Sequence, residues 1–178
     1  ACWDSMHKWM EATLLEPGTA PFSFIYDGRI SGDFLSDWDF TTTKEPLDET
    51  RIQQILTYTD HKTGLEVRCE VTTFSDHPAV EWVLKLKNSG EYDTPIISNI
   101  QAIDTTLTDE PSECKLHYAS GVREGVAAGA DDFRPKTQLL PPNSSFDVSS
   151  LHGRSSWGES LPFFNVEMSK KGIMLGIG

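Results

Sequence analysis

Two different spacings of hydrophobic residues follow one another along the chain. Four apolar residues near the beginning recur at helical spacing: Trp3, Met6, Met10 and Leu14. This run ends at Pro17-Gly18 and predicts one short amphipathic helix or turn within residues 1–20. From residue 21 the period changes to two, most clearly at 65–73 and 80–87. Such alternation is typical of strands with one buried face and one face in water.

Further strands are predicted where the same alternation is less regular. They cover 22–26, 34–41, 51–59, 95–104, 163–168 and 172–177. Short turns rich in Gly, Asn, Asp and Ser connect the strands between residues 51 and 104, which leaves no room for the crossovers that parallel strands need. The sequence therefore predicts an all-β fold: an antiparallel β-sandwich over residues 21–178, preceded by a short helical segment over 1–20.

Residues 105–143 differ from the rest of the chain. They hold several glycines and prolines and few strand signals, and they include the adjacent acids Asp131 and Asp132, followed by Arg134. We expect a long irregular connection there. Such connections in a compact β domain are often functional or else disordered.

Composition and charge argue against several classes of partner. The 178 residues carry a formal net charge of −12, which counts against binding to nucleic acid or to an anionic membrane surface. The longest apolar stretches fall far short of the roughly 20 residues that span a bilayer. The three cysteines lack the CxxC spacing of zinc and redox sites. Cys69 is expected to be a buried thiol, while a disulfide between Cys2 and Cys114 stays open.

Few residues offer hydrolytic or metal chemistry. The five histidines occur singly, with no HxxxH or HxH pair, so we predict neither a metal site nor a cofactor. Asp131 and Asp132 would point to opposite faces of an extended strand, whereas Asp37 and Asp39 could share a face, as the two carboxylates of a glycosidase must. The alternative for Asp37 and Asp39 is a pair of solvent-facing acids that protect an edge strand from further pairing. We therefore name no catalytic residue.

The loop around Trp157 is the most distinctive candidate for binding. Trp157 stands between Ser156 and Gly158, and Arg154 precedes it by three residues. The apolar face of a pyranose packs on an indole ring, and a guanidinium donates hydrogen bonds to hydroxyl groups. Arg154 and Trp157 are therefore interpreted as a sugar platform, with a loop tryptophan folded back over the sheet as the alternative.

The order of several segments along the chain carries a family resemblance. These segments are Pro21-Phe22-Ser23-Phe24-Ile25-Tyr26-Asp27-Gly28, Leu56-Thr57-Tyr58-Thr59-Asp60, Thr63-Gly64-Leu65-Glu66-Val67, Pro78-Ala79-Val80-Glu81-Trp82-Val83-Leu84, Asn88, Thr94-Pro95-Ile96, Asp131-Asp132-Phe133, Gly153-Arg154-Ser155-Ser156 and Leu161-Pro162-Phe163-Phe164-Asn165. In this order, from about residue 21 to the end, they resemble the amino-terminal β domain of glycoside hydrolase family 36, whose members are mainly α-galactosidases.

The resemblance implies a fold and a role. In that family the amino-terminal domain is a large β-sandwich, called a supersandwich, that packs on a (β/α)₈ barrel and supports oligomer formation. The barrel carries the two aspartates of a retaining double displacement, and this chain has no βα alternation. The resemblance therefore implies a non-catalytic portion of a larger enzyme. Its partners would be the catalytic barrel of the same polypeptide, galactosides bound through the parent enzyme, and further copies of itself.

The same resemblance points to a site. In some family members the amino-terminal domain lends loop residues to the mouth of the active site. The residues selected here for such a role are Arg154, Trp157, Asp132 and Arg134. An apolar surface is also expected where the barrel would pack.

Two other interpretations stay open. A free-standing carbohydrate-binding module would show a row of exposed coplanar aromatic rings, for which Trp38 and Trp157 are the candidates. A scaffold sandwich of the immunoglobulin type would show a regular Cys…Trp…Cys pattern. Cys69 and Trp82 follow that order, but Cys114 lies in the irregular segment.

Overall fold

Strands form most of the structure. The computed structural model describes residues 2–14, 18–107, 113–122, 132–150, 153–169 and 171–177. Three antiparallel sheets and one short N-terminal helix confirm the predicted all-β, sandwich-like fold. The chain divides into two compact units, Ala1–Leu107 and Thr108–Gly178, called here the first and the second unit. The division falls inside the range 21–178 that the sequence assigned to one β domain.

The first unit contains the helix and two sheets. Helix α1 spans Cys2–Leu14, as the helical spacing predicted. One sheet has the strand order β2-β1-β7 and the other the order β3-β4-β5-β6. Their bounds are β1 Ser23–Tyr26, β2 Arg29–Ile30, β3 Asp39–Pro46, β4 Arg51–Asp60, β5 Leu65–Phe74, β6 Val80–Asn88 and β7 Ile97–Gln101. In the described part of the chain, no helix is long and apolar enough to cross a membrane.

The core of the first unit lies between its two sheets. Inward residues of β4 and β5 meet aromatic residues of β1, and Phe22 contacts Tyr58 edge-on, with ring centroids 6.3 Å apart. The helix covers part of the same core, because Leu14 is buried in it and Trp9 stacks on Trp82. Burying one such large apolar side chain contributes about 1.5–3 kcal/mol. The alternation read from the sequence therefore sorts residues correctly between core and solvent here.

The predicted strand 34–41 begins later than expected. Short 3₁₀ turns occupy Ser31–Asp33 and Leu35–Asp37, and β3 starts only at Asp39. The apolar residues of these turns are buried, and Phe34 packs edge-on against Phe24. The apolar residues that these turns bury were therefore mistaken for the buried positions of a strand.

The second unit is a four-stranded sheet of order β11-β10-β8-β9. Its strands are β8 Cys114–Ala119, β9 Pro135–Leu140, β10 Phe163–Met168 and β11 Lys171–Gly176. The expectation that 105–143 is irregular is wrong for β8 and β9. β9 begins with a proline, which is tolerated at the first residue of a strand and at a sheet edge. The last strand, β11, pairs with β10 along its whole length.

Candidate functional site

Trp157 lies in a loop that the backbone of residues 120–122 holds in place. The Val122 N–H donates to the Ser156 carbonyl at 2.8 Å, and the Gly158 N–H donates to the Val122 carbonyl at 2.9 Å. The Gly121 N–H donates to the Gly158 carbonyl at 3.0 Å. Hydrogen bonds on both sides of Trp157 therefore fix the position of its backbone.

The loop approaches Gly121 too closely for a side chain. A Cβ atom at Gly121 would lie 2.4 Å from the Ser156 carbonyl oxygen. Real Cβ atoms do not come that close to backbone oxygen. Glycine at this position is therefore a condition for the loop conformation around Trp157.

The structure brings Arg154 and Trp157 together. The Arg154 guanidinium carbon lies 4.8 Å from the centroid of the Trp157 ring, which is within cation–π distance. Trp157 is half-buried and Arg154 is exposed. The guanidinium covers part of the ring, so a sugar would meet its exposed N–H donors and the remaining edge of the indole. The ring is therefore neither a fully open platform nor a tryptophan fully buried against the sheet.

Asp132 and Arg134 lie beside the strand end that supports this loop. The Arg134 N–H donates to the buried Ser120 hydroxyl at 2.8 Å, and the Ser120 N–H donates to the Arg134 carbonyl at 3.0 Å. Ser120 directly precedes Gly121, so the backbone of Arg134 and the Trp157 loop flank the same segment. Asp132 is half-buried, two residues before Arg134. Its neighbour Asp131 lies outside the described residues.

The paired carboxylates Asp37 and Asp39 do not share a strand face. Asp37 ends a 3₁₀ turn, and Asp39 begins β3. Asp39 instead bonds His61, with Oδ2 and Nε2 2.5 Å apart, and this hydrogen bond raises the pKa of His61. Both side chains are largely exposed. The glycosidase-like pair that the sequence allowed is therefore absent from this described region.

A polar network that sequence reasoning missed lies on one face of the second unit's sheet. His117 Nε2 lies 2.7 Å from Glu167 Oε2, and the Thr137 hydroxyl lies 3.2 Å from His117 Nδ1. Lys115 Nζ lies 3.4 Å from the other carboxylate oxygen. The hydrogen bond from His117 is the main cause that lowers the pKa of Glu167, with Lys115 next.

The order threonine, histidine, carboxylate is that of a nucleophile, base and orienting acid. Acyl transfer also needs donors aimed at the developing oxyanion. Here β8 and β10 are inner strands whose backbone groups pair with neighbours on both sides. The network lies on an exposed face of the sheet, where a ligand could reach it. In the described ranges no group of three or more His, Cys, Asp or Glu side chains could hold a metal ion.

Cross-strand register explains why this network was missed. His117 and Glu167 are 50 residues apart, and β8 pairs with β10 by skipping β9. In the sequence His117 stands alone. The available signal was the alternation of Phe163, Asn165 and Glu167, which predicts one shared strand face without showing what lies opposite.

A second candidate is a surface hollow of about 510 Å³ in the first unit. It lies between the β4–β5 turn and residues 89–93, and its lining includes Asp60, His61, Lys62, Glu91, Tyr92 and Asp93. A Cβ at Gly64 would lie 2.4 Å from the Gly90 nitrogen, so these two turns pack backbone to backbone. Tyr92 is 82% exposed, which leaves an aromatic ring at the edge of a polar hollow.

The other aromatic and thiol candidates belong to the packing of the structure. Trp38 contacts the rings of Phe24, Tyr26 and Phe34 and packs against the core, so it forms no exposed row with Trp157. Cys69 is buried, as predicted, and burial raises the pKa of its thiol to about 12. Cys2 and Cys114, both in the described part of the chain, form no disulfide with each other.

Comparison with known proteins finds no similar protein. No family profile matches the chain, and no curated protein or solved structure resembles it significantly.

Proposed function

We propose that this chain is a non-catalytic, amino-terminal accessory portion of an α-galactosidase-like retaining glycoside hydrolase. In this proposal it packs on a (β/α)₈ barrel of the same polypeptide, and the Arg154–Trp157 loop contributes to the active-site rim. The ordered segments that resemble glycoside hydrolase family 36 support the proposal. Asp37 lies in a 3₁₀ turn and Asp39 begins β3, so the two do not share a strand face, which is consistent with the proposal.

One observation carries the packing part of the proposal. Ile25 pairs with Ile30 and with Ser98 across the sheet β2-β1-β7, on the face opposite to the buried Phe24 and Tyr26. Ile96 directly precedes β7, at the end of the strand that carries Ser98. Ile30 is 51% exposed and Ile96 is 80% exposed. Apolar side chains on the outside of a sheet are typical of a surface that another domain covers.

The test compares the 178-residue chain with the polypeptide that its complete gene encodes. Eight βα repeats should follow residue 178. Ile96→Asp should leave the melting temperature of the 178-residue chain nearly unchanged, because Ile96 is exposed there, and should lower that of the longer polypeptide by several degrees. Val83→Asp is the matched control, since Val83 is also an exposed strand residue, and it should change neither.

Two outcomes would contradict the proposal. One is a complete gene that encodes no βα repeats after residue 178. The other is turnover of a nitrophenyl α-galactoside by the purified 178-residue chain, because the proposal gives that chain no nucleophile and no acid/base.

A further inference from the structure

The exposed face of the sheet β11-β10-β8-β9 combines apolar and polar side chains in a regular order. We call it the open face and define it by six residues: Phe163, Asn165, Glu167, Met174, His117 and Lys115. Asn165 lies between Met174 of β11 and His117 of β8, and Glu167 lies beside Lys115. All six side chains therefore point to the same side of the sheet.

Phe163 provides an aromatic surface at one end of the open face. Its side chain is 60% exposed, and it stands opposite Gly176 in β11. A Cβ at Gly176 would lie 3.4 Å from Cδ1 and 3.5 Å from Cε1 of Phe163, so one side of the ring lies against β11. An exposed aromatic ring that is held against a neighbouring strand is a suitable surface for the apolar face of a pyranose.

Asn165 and Glu167 continue from Phe163 along the same strand. Residues two apart on a strand are about 6.6 Å apart, so Phe163, Asn165 and Glu167 span about 13 Å. Within the described part of the chain no hydrogen bond engages the Asn165 amide, which leaves both its donor and its acceptor for a ligand. On the edge strand Gly172 stands opposite Glu167 without a side chain, and a Cβ there would lie 3.3 Å from Asn165 Oδ1.

His117 and Lys115 hold the Glu167 carboxylate in a fixed orientation. His117 Nε2 bonds one carboxylate oxygen at 2.7 Å, and Lys115 Nζ lies 3.4 Å from the other. His117 is itself held by the Thr137 hydroxyl. A carboxylate oriented in this way keeps lone pairs for hydroxyl groups and loses little entropy when it binds them.

We propose that the open face binds a neutral oligosaccharide, with one pyranose ring on Phe163 and the hydroxyl groups of the next sugar bonded by Asn165 and Glu167. A sugar chain matches this order because it offers an apolar ring face and hydroxyl groups in alternation. A protein partner fits less well, because protein interfaces are depleted in Lys and Glu, and Lys115 and Glu167 make up one end of this face.

The binding face itself follows from the geometry, while a galactosyl identity of the sugar rests on the proposed function. Binding measurements with two sugars distinguish the binding face from the galactosyl identity. Raffinose carries an α-galactosyl end, and cellobiose contains only glucose. Binding of cellobiose without raffinose would support an oligosaccharide face and contradict the galactosyl identity.

The test is an NMR titration of the ¹⁵N-labelled 178-residue chain with each sugar. The side-chain amide signal of Asn165 should shift and saturate with a Kd of about 1 mM, because a flat face offers few preorganised donors. Phe163→Ala should raise this Kd about tenfold or abolish binding. Asn165→Ala keeps Phe163 and should weaken binding similarly, as followed by the backbone amide signals of residues 163–167, since this variant lacks the side-chain amide. A folding defect in the first variant therefore does not decide the result.

Tyr92→Ala is the matched control, because it removes another exposed aromatic ring, in the first unit, and it should leave the Kd within twofold. The proposal is wrong if neither sugar shifts Asn165, or if the shifts occur at the Trp157 indole or around Tyr92 instead. Self-association of the chain that Phe163→Ala abolishes, measured by light scattering without any sugar effect, would assign the face to a second copy and overturn the proposal.

Discussion

At the scale of single residues, Glu167 shows how a strand face sets the chemistry of a side chain. The carboxylate is exposed, yet it has a histidine on one oxygen and a lysine near the other. Both partners favour its charged form. The register between β8 and β10 places both partners beside the carboxylate, and these partners, more than burial, set the pKa of Glu167.

We expect the carboxyl of Glu167 to titrate below its ordinary pKa of 4.5, because the hydrogen bond from His117 favours the carboxylate. A depressed carboxyl adds stability above its unfolded pKa, and this stability is lost as the pH falls through the folded value. His117→Ala should move the midpoint back towards 4.5, as measured by ¹³C NMR of the side-chain carboxyl. His77→Ala removes a histidine that bonds Asp76 in the first unit, and it should leave the midpoint of Glu167 unchanged. An unchanged midpoint in His117→Ala would contradict the assigned cause.

At the scale of elements, the loop that carries Arg154 and Trp157 depends on a neighbouring segment more than on its own residues. Its hydrogen bonds run to Gly121 and Val122, which directly follow β8. The position of the loop therefore depends on the position of the residues that end β8.

Gly121→Ala should displace the loop, because the new methyl group would lie 2.4 Å from the Ser156 carbonyl oxygen. Overpacking of this kind costs about 1–3 kcal/mol. We expect that loss in the free energy of unfolding, measured in urea, together with a shift of the Trp157 indole NMR signal. Gly32→Ala is the control, since nothing lies within 4 Å of a Cβ there, and its effect should stay within about 0.5 kcal/mol. Equal effects of the two substitutions would contradict this prediction, because they would show that the Trp157 loop accommodates a methyl group at Gly121 without loss of stability.

At the scale of the whole molecule, the buried apolar residues are concentrated in the first unit. Its cluster joins both sheets and α1, with Leu56, Tyr58 and Val67 fully buried. In the described second unit, strand residues that face away from the open face are mostly half-buried, and Met168 is the buried apolar residue. The first unit therefore supplies most of the hydrophobic stabilisation described here.

Leu56→Ala should lower the free energy of unfolding of the first unit by about 2–5 kcal/mol, because it leaves a cavity in this core. Val83→Ala removes an exposed aliphatic side chain of the same sheet and should change stability by no more than about 0.5 kcal/mol. Urea unfolding followed by tryptophan fluorescence measures both, since Trp9 and Trp82 stack within the first unit. A loss in Val83→Ala as large as that in Leu56→Ala would place the core elsewhere.

Local patterns were sufficient for the elements whose neighbours are close in sequence. Alternation predicted β5 and β6 almost to the residue, and helical spacing predicted α1. Residues 34–38 were wrongly assigned to a strand because burial of Phe34 and Leu35 comes from tertiary packing and not from a strand period; Phe34, for example, packs edge-on against Phe24 of β1. β9 was missed because its sequence, PKTQLL, begins at a proline and shows no alternation of apolar and polar residues, although burial does alternate along the strand.

The sequence by itself determined that this protein is an antiparallel β protein with a short first helix, because side-chain period and turn length are local properties. It also predicted that Arg154 and Trp157 are neighbours, since only two residues lie between them. Only the tertiary structure decided which strands lie side by side. That register brings His117 to Glu167 across 50 residues, because a sheet joins residues through hydrogen bonds between strands and not through distance along the chain. The tertiary structure also places Asp37 in a 3₁₀ turn, so that it does not share a face of β3 with Asp39.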